Sequence, residues 1–282
     1  IQSSIQIAER NLDNEFAVRV LKALFLVKYY KQFKPSLHNI SILMLESFDQ
    51  DVSKLRDKIT EALQLLEQQT YIQRNGEFYE FLTKEEQDIE TEIKNTEIDT
   101  SELSSALHEL IFQDILQSTK IRYTALNIDY KYGSKIDGEQ KGSPAELGIN
   151  VISPLNENAG NSQAVSLESI NSDDLFILLG NDANFIKDLQ LYKKTEKYVR
   201  QNSRDGMDST KSIIIQAKGT QNRERLKDIK QRAQGLISEA EFIVRGHEIS
   251  LGTSDPKTRI QNAFQDLIDK VYSNLSLLRG RE

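Results

Sequence analysis

The sequence has no cysteine and no tryptophan, and its 282 residues include only 4 prolines, 13 glycines and 3 histidines. Without cysteine there is no disulfide scaffold, no cysteine-ligated zinc, no iron–sulfur cluster and no thiol nucleophile. The same absence fits a reducing compartment. No apolar run approaches the roughly 20 residues that a membrane-crossing helix needs, and the start, Ile1-Gln2-Ser3-Ser4, lacks the basic and apolar regions of a signal peptide. The chain is therefore expected to be cytoplasmic, with no membrane partner. Its first residue is not Met, which suggests an internal piece of a longer protein. The rest of the composition is that of an ordinary globular chain: 38% hydrophobic, 28% charged, net charge -7. At roughly 100 to 200 residues per domain, two domains are expected.

The motifs that would carry catalysis are incomplete. His108-Glu109 and His247-Glu248 each begin like the metalloprotease helix, but the second His is missing, so one helix face cannot offer zinc two imidazoles. The glycines of Gly133-Ser134-Lys135-Ile136-Asp137-Gly138 have phosphate-loop spacing, yet Glu139 and Gln140 follow where Lys and Ser or Thr are required. A carboxylate there would repel phosphate, so the segment reads as a solvated turn. Gly160-Asn161-Ser162-Gln163-Ala164 imitates a nucleophile elbow but lies in a Ser/Asn-rich stretch, residues 153–172, which reads as a mobile excursion. From Asp174 to Phe185, an apolar strand runs through Gly180 into a helix that Asn181 or Asp182 can cap, and the single glycine leaves no room for a pyrophosphate. No catalytic, metal or cofactor residue is assigned in this chain.

The expected fold class is α+β. In residues 1–98, Asp13 is placed to cap a helix with Phe16, Val20, Leu24 and Val27 on one face, and Ser36 a shorter one with Ile40, Leu43 and Met44 on its apolar side. A third helix follows Asp51, carrying Val52, Leu55, Ile59, Ala62, Leu63 and Leu66. Two β-prone runs then flank Asn75-Gly76, the strongest short hairpin signal, because both turn residues tolerate positive φ. Three helices and a hairpin predict a winged helix, a fold that serves nucleic acid and protein partners alike. Thr83-Lys84-Glu85-Glu86 is a capping box opening an acidic linker helix. Residues 99–282 predict a second, mostly helical α+β domain. It has a helix over 101–117, a small mixed sheet, a helical hairpin over about 182–240, a strand pair near 241–251 and a closing helix from Asp255-Pro256 to about Leu278.

The net charge hides a strong division. Residues 80–114 carry eleven acidic and two basic side chains, whereas residues 187–232 carry thirteen basic and six acidic ones. Two groups of cations are candidate contacts for duplex DNA or a protein partner: Lys54, Arg56, Lys58 and Arg74 on the third helix and wing, and Lys193, Lys194, Lys197 and Arg200 on the hairpin. The competing reading of the hairpin is a solvated face, or one that docks on an acidic strip of its own protein.

The wording of several stretches resembles one family. These are residues 16–29, opening Phe16-Ala17-Val18-Arg19-Val20, and residues 65–83, with Leu65-Leu66-Glu67-Gln68-Gln69 and Tyr79-Glu80-Phe81-Leu82-Thr83. Shorter ones are Glu92-Ile93-Lys94-Asn95-Thr96-Glu97, Lys120-Ile121-Arg122-Tyr123, Val151-Ile152-Ser153-Pro154 and Lys194-Thr195-Glu196-Lys197-Tyr198-Val199-Arg200. Together they resemble the BrxC family of BREX phage-defence P-loop proteins, which is related to PglY. The resemblance implies a large cytoplasmic bacterial protein with an AAA-type ATPase domain, acting with other BREX proteins in phage restriction and host DNA methylation. This piece resembles the part downstream of that domain. ATP and Mg are then expected for the parent protein and none for this chain, since the family's P-loop has no match here. The expected partners are other BREX subunits, the ATPase domain of the same protein, duplex DNA, and further copies in an oligomer. The leading expectation is a non-catalytic interaction segment of the ATPase; the alternative is a stand-alone winged-helix transcription regulator.

Overall fold

A computed structural model describes residues 2–203 and 209–274. The chain divides into two compact units, Ile1–Glu97 with Lys194–Arg225, and Ile98–Lys193 with Leu226–Glu282. The fold class is α+β.

The first unit begins with α1 (Gln2–Asn11), α2 (Glu15–Val27), α3 (Leu37–Leu43) and α4 (Val52–Gln68). The cap of α2 is Asn14, one residue later than expected. Its Oδ1 accepts the Ala17 N–H at 2.9 Å, the reach from N-cap to N3 that Asp13 is one residue too early to make. Ser36 caps α3 and Asp51 caps α4. Ala17, Leu21, Ile40, Ile59, Leu63 and Leu66 meet in one core, because apolar residues three and four apart share a helix face. The core is closed by a hairpin of β1 (Ile72–Asn75) and β2 (Phe78–Phe81), in which Ile72 faces Phe81 and Asn75 faces Phe78. Gly76 at the turn has φ 62°. Ser36 forms an additional antiparallel bridge with Phe78.

Helix α5 (Lys84–Lys94) follows, opened by the expected capping box: Glu86 N–H bonds Thr83 Oγ1, and the Thr83 N–H bonds Glu86 Oε2. Thr83→Ala is expected to cost about 1 kcal/mol, the usual loss for a removed N-cap. A denaturation midpoint equal to wild type would contradict this.

The second unit opens with α6 (Thr100–His108), which continues as a π-helix over Glu109–Leu116. The strands that follow are β3 (Lys120–Tyr123), β4 (Ile128–Lys131), β5 (Gly133–Ile136), β6 (Glu139–Gln140) and β7 (Gly148–Ile152). Next come α7 (Ser162–Ser169), β8 (Asp174–Leu178), the long α8 (Ala183–Asn202) and α9 (Ser209–Glu239), β9 (Glu241–Val244), β10 (His247–Glu248) and α10 (Pro256–Val271). The turn expected between α8 and α9 falls largely on residues 204–208, outside the described residues, and the closing helix, expected to about Leu278, ends at Val271 with Tyr272 as its C-cap.

Six strands form one mixed sheet in the order β10-β9-β8-β7-β5-β6, with β5, β7 and β8 mutually parallel. Strand alternation splits its faces. Ile149, Val151, Leu175, Ile177, Phe242 and Val244 enter the main core with the π-helix and α10, while Ile152, Phe176, Leu178 and Ile243 pack on Val165 of α7.

Two expectations are corrected here. Residues 133–136 are strand β5, not a solvated turn. Only Asp137-Gly138 turns, with φ 52° and 80°, and Ile136 is fully buried. The strand is too short to show its period in sequence, and pairing with β7 and β6 supplies the backbone bonds that define it. The stretch 153–172 is not wholly an excursion, since α7 lies within it. Asn161 caps that helix by accepting the Ala164 N–H at 3.1 Å. Val165 is fully buried against the sheet. The strand-turn-helix unit at 174–185 is present, with Asp182 Oδ1 accepting the Phe185 N–H at 2.9 Å. Burial alone would raise the Asp182 carboxyl, but the Phe185 N–H and Arg232 outweigh it and hold it below the usual carboxylate range.

Candidate interaction surface

The cations singled out on α4 and the hairpin differ in how freely they are offered. Lys54 is the most open, with 85% of its side chain exposed and only a 3.9 Å approach to Asp51. Arg56 lies on the same helix with its Nη2 2.9 Å from His38 Nδ1. Lys58 places its ammonium 4.3 Å from the centre of the Phe16 ring, a cation–π contact. Arg74 donates from Nε to the Gly76 carbonyl at 2.8 Å and lies over the Tyr79 ring at 6.0 Å. Burial raises the Tyr79 hydroxyl pKa although Arg74 opposes it. All four are exposed, but Arg56, Lys58 and Arg74 each have a close partner within the unit, whereas Lys54 has only the 3.9 Å approach to Asp51.

On α8, Lys194 donates to the Lys94 carbonyl at 2.6 Å and Lys197 to the Glu97 carbonyl at 2.8 Å, at and just past the last turn of α5, where helix carbonyls lack partners. Tyr198 donates to Glu92, and its pKa is raised by burial and by that carboxylate. Lys211 of α9 also lies 3.7 Å from Glu92. The acidic strip and the basic helices therefore answer each other inside the first unit at these positions. In the second unit, Lys193 lines a shallow depression with Glu102 and Glu109 of α6 and the π-helix. Arg200 is exposed.

Two buried cations escaped sequence reasoning, because nothing in a charged residue's neighbours announces burial. Lys218 on α9 is 5% exposed and reaches Glu90 of α5 and Gln73 of β1. Lys28, at the end of α2, donates to Glu86 at 2.7 Å and to the Phe81 carbonyl at 2.6 Å.

An apolar surface was missed as well. Of the thirteen large hydrophobic side chains exposed among the described residues, eight lie between Leu26 and Val52, which concentrates them on one short part of the chain. Leu26 is 78% exposed and Phe48 is fully exposed. Leu43, expected on the buried side of α3 with Ile40 and Met44, is instead 43% exposed. Helix α3 has only seven residues, so its buried stripe is Ile40 and little more. Leu26, Leu43, Met44 and Leu45 line a groove of about 270 Å³ whose rim carries Arg19 and Lys22. Neighbouring exposed apolar groups of this kind mark contact sites more often than isolated ones do.

A P-loop site for ATP and Mg does not fit at residues 133–138. The glycines there belong to a strand and a two-residue hairpin turn, and the chain enters strand β6 at Glu139 rather than a helix N-terminus. No cluster of metal-ligating side chains occurs among the described residues, and no helix there is long and apolar enough to cross a membrane.

The family described as BREX ATP-binding protein BrxC, 4th domain with six-stranded beta sheet, matches residues 96–267, more than half of the chain. The sheet of the second unit has that number of strands. No solved structure matches.

Proposed function

Because the chain belongs to the BrxC family of BREX ATP-binding proteins, as a segment downstream of the ATPase domain, we propose that it is a non-catalytic interaction segment whose first unit docks another BREX subunit. Membership makes it a component of the BREX defence system and counts against a stand-alone transcription regulator. The observation that carries the docking reading is the exposed apolar stretch from Leu26 to Val52, with its groove between α2 and the end of α3. We read α2, α3, α4 and the β1–β2 hairpin of this unit as a winged helix used mainly for protein contact, since Arg56, Lys58 and Arg74 already have intramolecular partners. In this reading the protein works in the cytoplasm, ATP and Mg belong to the parent's ATPase domain, and that domain or a second copy of the chain are further occupants to test.

Duplex DNA is the second reading, favoured by the exposure of Lys54 and Arg200. One set of experiments separates the two. Purified BREX subunits, the ATPase domain and a second, differently tagged copy of the chain are each mixed with the 282-residue chain carrying Leu26→Asp or Leu45→Asp. These sites are exposed, so folding should be spared. Capture of a subunit is expected to weaken by about tenfold or more, the effect of placing an unpaired carboxylate in an apolar contact. Undiminished capture would overturn the docking reading. In parallel, duplex DNA is titrated across salt with Lys54→Glu and Arg200→Glu. A salt-dependent affinity lost on charge reversal would establish the DNA reading instead.

A further inference from the structure

The second unit holds a cavity that the docking reading does not use. It measures about 830 Å³ and lies between the π-helix, the end of β4, β5 and the loop after β6. That volume falls in the range of small-molecule sites, roughly 300–1,000 Å³. Its wall is a row of rings. His108 and Phe112 have centroids 4.9 Å apart at 31°, and Phe112 and Tyr132 5.9 Å apart at 30°. Phe112 is buried, while His108 and Tyr132 are only half-buried and keep ring surface toward the cavity.

Several features hold this wall in place. Tyr132 donates its hydroxyl to the Ser118 carbonyl, and burial pushes that hydroxyl up to about 12. His108 Nε2 lies 2.8 Å from Ser134 Oγ. Burial lowers the His108 pKa, so the imidazole is neutral at pH 7 and presents a ring and a hydrogen bond rather than a charge. Gly142 closes over Ser134 so tightly that a Cβ there would lie 2.2 Å from the Ser134 hydroxyl. Phe112 and Gln113 are carried by the π-helix, a rare distortion found frequently at functional sites. It ends at Gln117 with φ 54°, which turns the chain toward the cavity.

The polar lining is one-sided. Gln113, Thr119 and Ser143 offer an amide and hydroxyls, Gln117 offers its amide oxygen while its nitrogen donates to the Asp114 carbonyl at 2.9 Å, Lys131 offers an exposed cation, and none of the residues that line the cavity is acidic. In a chain with 43 carboxylates and a net charge of -7, that leaves a site for a ligand carrying negative charge. We propose that this cavity binds a nucleoside monophosphate, its flat base against the His108 and Tyr132 rings, its edge read by the Gln113 and Gln117 amides and its phosphate at Lys131. Amides match the paired donors and acceptors of a base edge, and stacking on an aromatic side chain tolerates any base. A single cation and no carboxylate for a magnesium ion suit one phosphate rather than a metal-bound triphosphate.

The test is calorimetric titration of the 282-residue chain with AMP, adenosine, inorganic phosphate and MgATP, with amide exchange to locate binding. AMP is expected to bind one to one and to slow exchange at residues 108–119 and 131–145. It should bind about tenfold or more tightly than adenosine or phosphate, as a charge-assisted contact plus a stacked ring implies, and MgATP no more tightly than AMP. Lys131→Ala should weaken AMP by about tenfold and Tyr132→Leu should abolish binding, while Tyr132→Phe, which keeps the ring, restores it. Lys187→Ala, an exposed cation outside the lining, should change nothing. Lys131 is exposed, so its variant tests the proposal even if Tyr132→Leu does not fold. Absence of AMP binding at millimolar concentration, phosphate binding as tightly as AMP, or an affinity indifferent to Lys131→Ala would each overturn the proposal.

Discussion

Lys218→Ala is expected to destabilise the first unit by about 3–5 kcal/mol, the usual cost of removing one partner from a buried ion pair. Lys218 and Glu90 have side chains only 6% and 7% exposed, and Gln73 is buried beside them. Removing the ammonium strands the Glu90 carboxylate in a low-dielectric site and leaves Gln73 Oε1 without its donor. The Gln73 amide nitrogen would still be held by Glu80 at 2.8 Å, so the loss falls mainly on Glu90. A second variant isolates the cause. Lys218→Met combined with Glu90→Leu removes both charges and keeps the volume, and should recover most of the stability, because a buried pair is often no better than an apolar replacement. Denaturant unfolding followed by amide exchange in α5, β1 and α9 provides the reading. A loss below about 1 kcal/mol for Lys218→Ala would mean that water reaches Glu90 and that the pair does not hold these elements together.

Phe264→Ala should cost the second unit a similar amount, about 3–5 kcal/mol, through lost burial and the cavity left behind. Phe264 sits on α10 with no exposed surface and meets the Tyr132 ring edge-on at 5.9 Å. It belongs to the core that also receives Ile149, Val151, Leu175 and Ile177 from the central strands. Protection should therefore fall across β7 and β8, and AMP affinity should fall with it, since Tyr132 loses its backing. Phe264→Leu, which nearly conserves volume, should cost under about 1.5 kcal/mol. If the alanine variant unfolds at the wild-type midpoint, α10 is not part of the same cooperative core.

Periodic apolar patterns made most of the helices legible. Of the α4 stripe, Leu55, Ile59, Ala62, Leu63 and Leu66 are buried and Val52, at the helix start, is 48% exposed, while Leu103, Leu107, Leu110, Ile111 and Ile115 are all buried along α6 and the π-helix. The change from α to π at Glu109 left no trace in that pattern, since the buried positions suit both. Asn75-Gly76 marked the turn of the β1–β2 hairpin because positive φ at Gly76 is a local property. The candidate cations were harder to judge. Lys54 and Lys58 share a helix, a charge and exposure, yet only Lys58 lies over a ring, and the position of Phe16 on α2 makes that difference.

What the sequence determined by itself was local: caps such as Thr83 with Glu86, helix stripes, the Asn-Gly turn, and a division of charge between residues 80–114 and 187–232. Family wording, too, is carried by the linear order of residues. Tertiary structure decided what lies far apart in the chain. It made residues 133–136 a strand by giving them β7 and β6 as partners, and buried Lys218 against Glu90 across 128 positions. It also brought His108, Tyr132 and Gly142 around one cavity. Hydrogen-bond pairing, burial and cavity shape depend on which segments meet, and a side chain's type fixes its chemistry but not its neighbours.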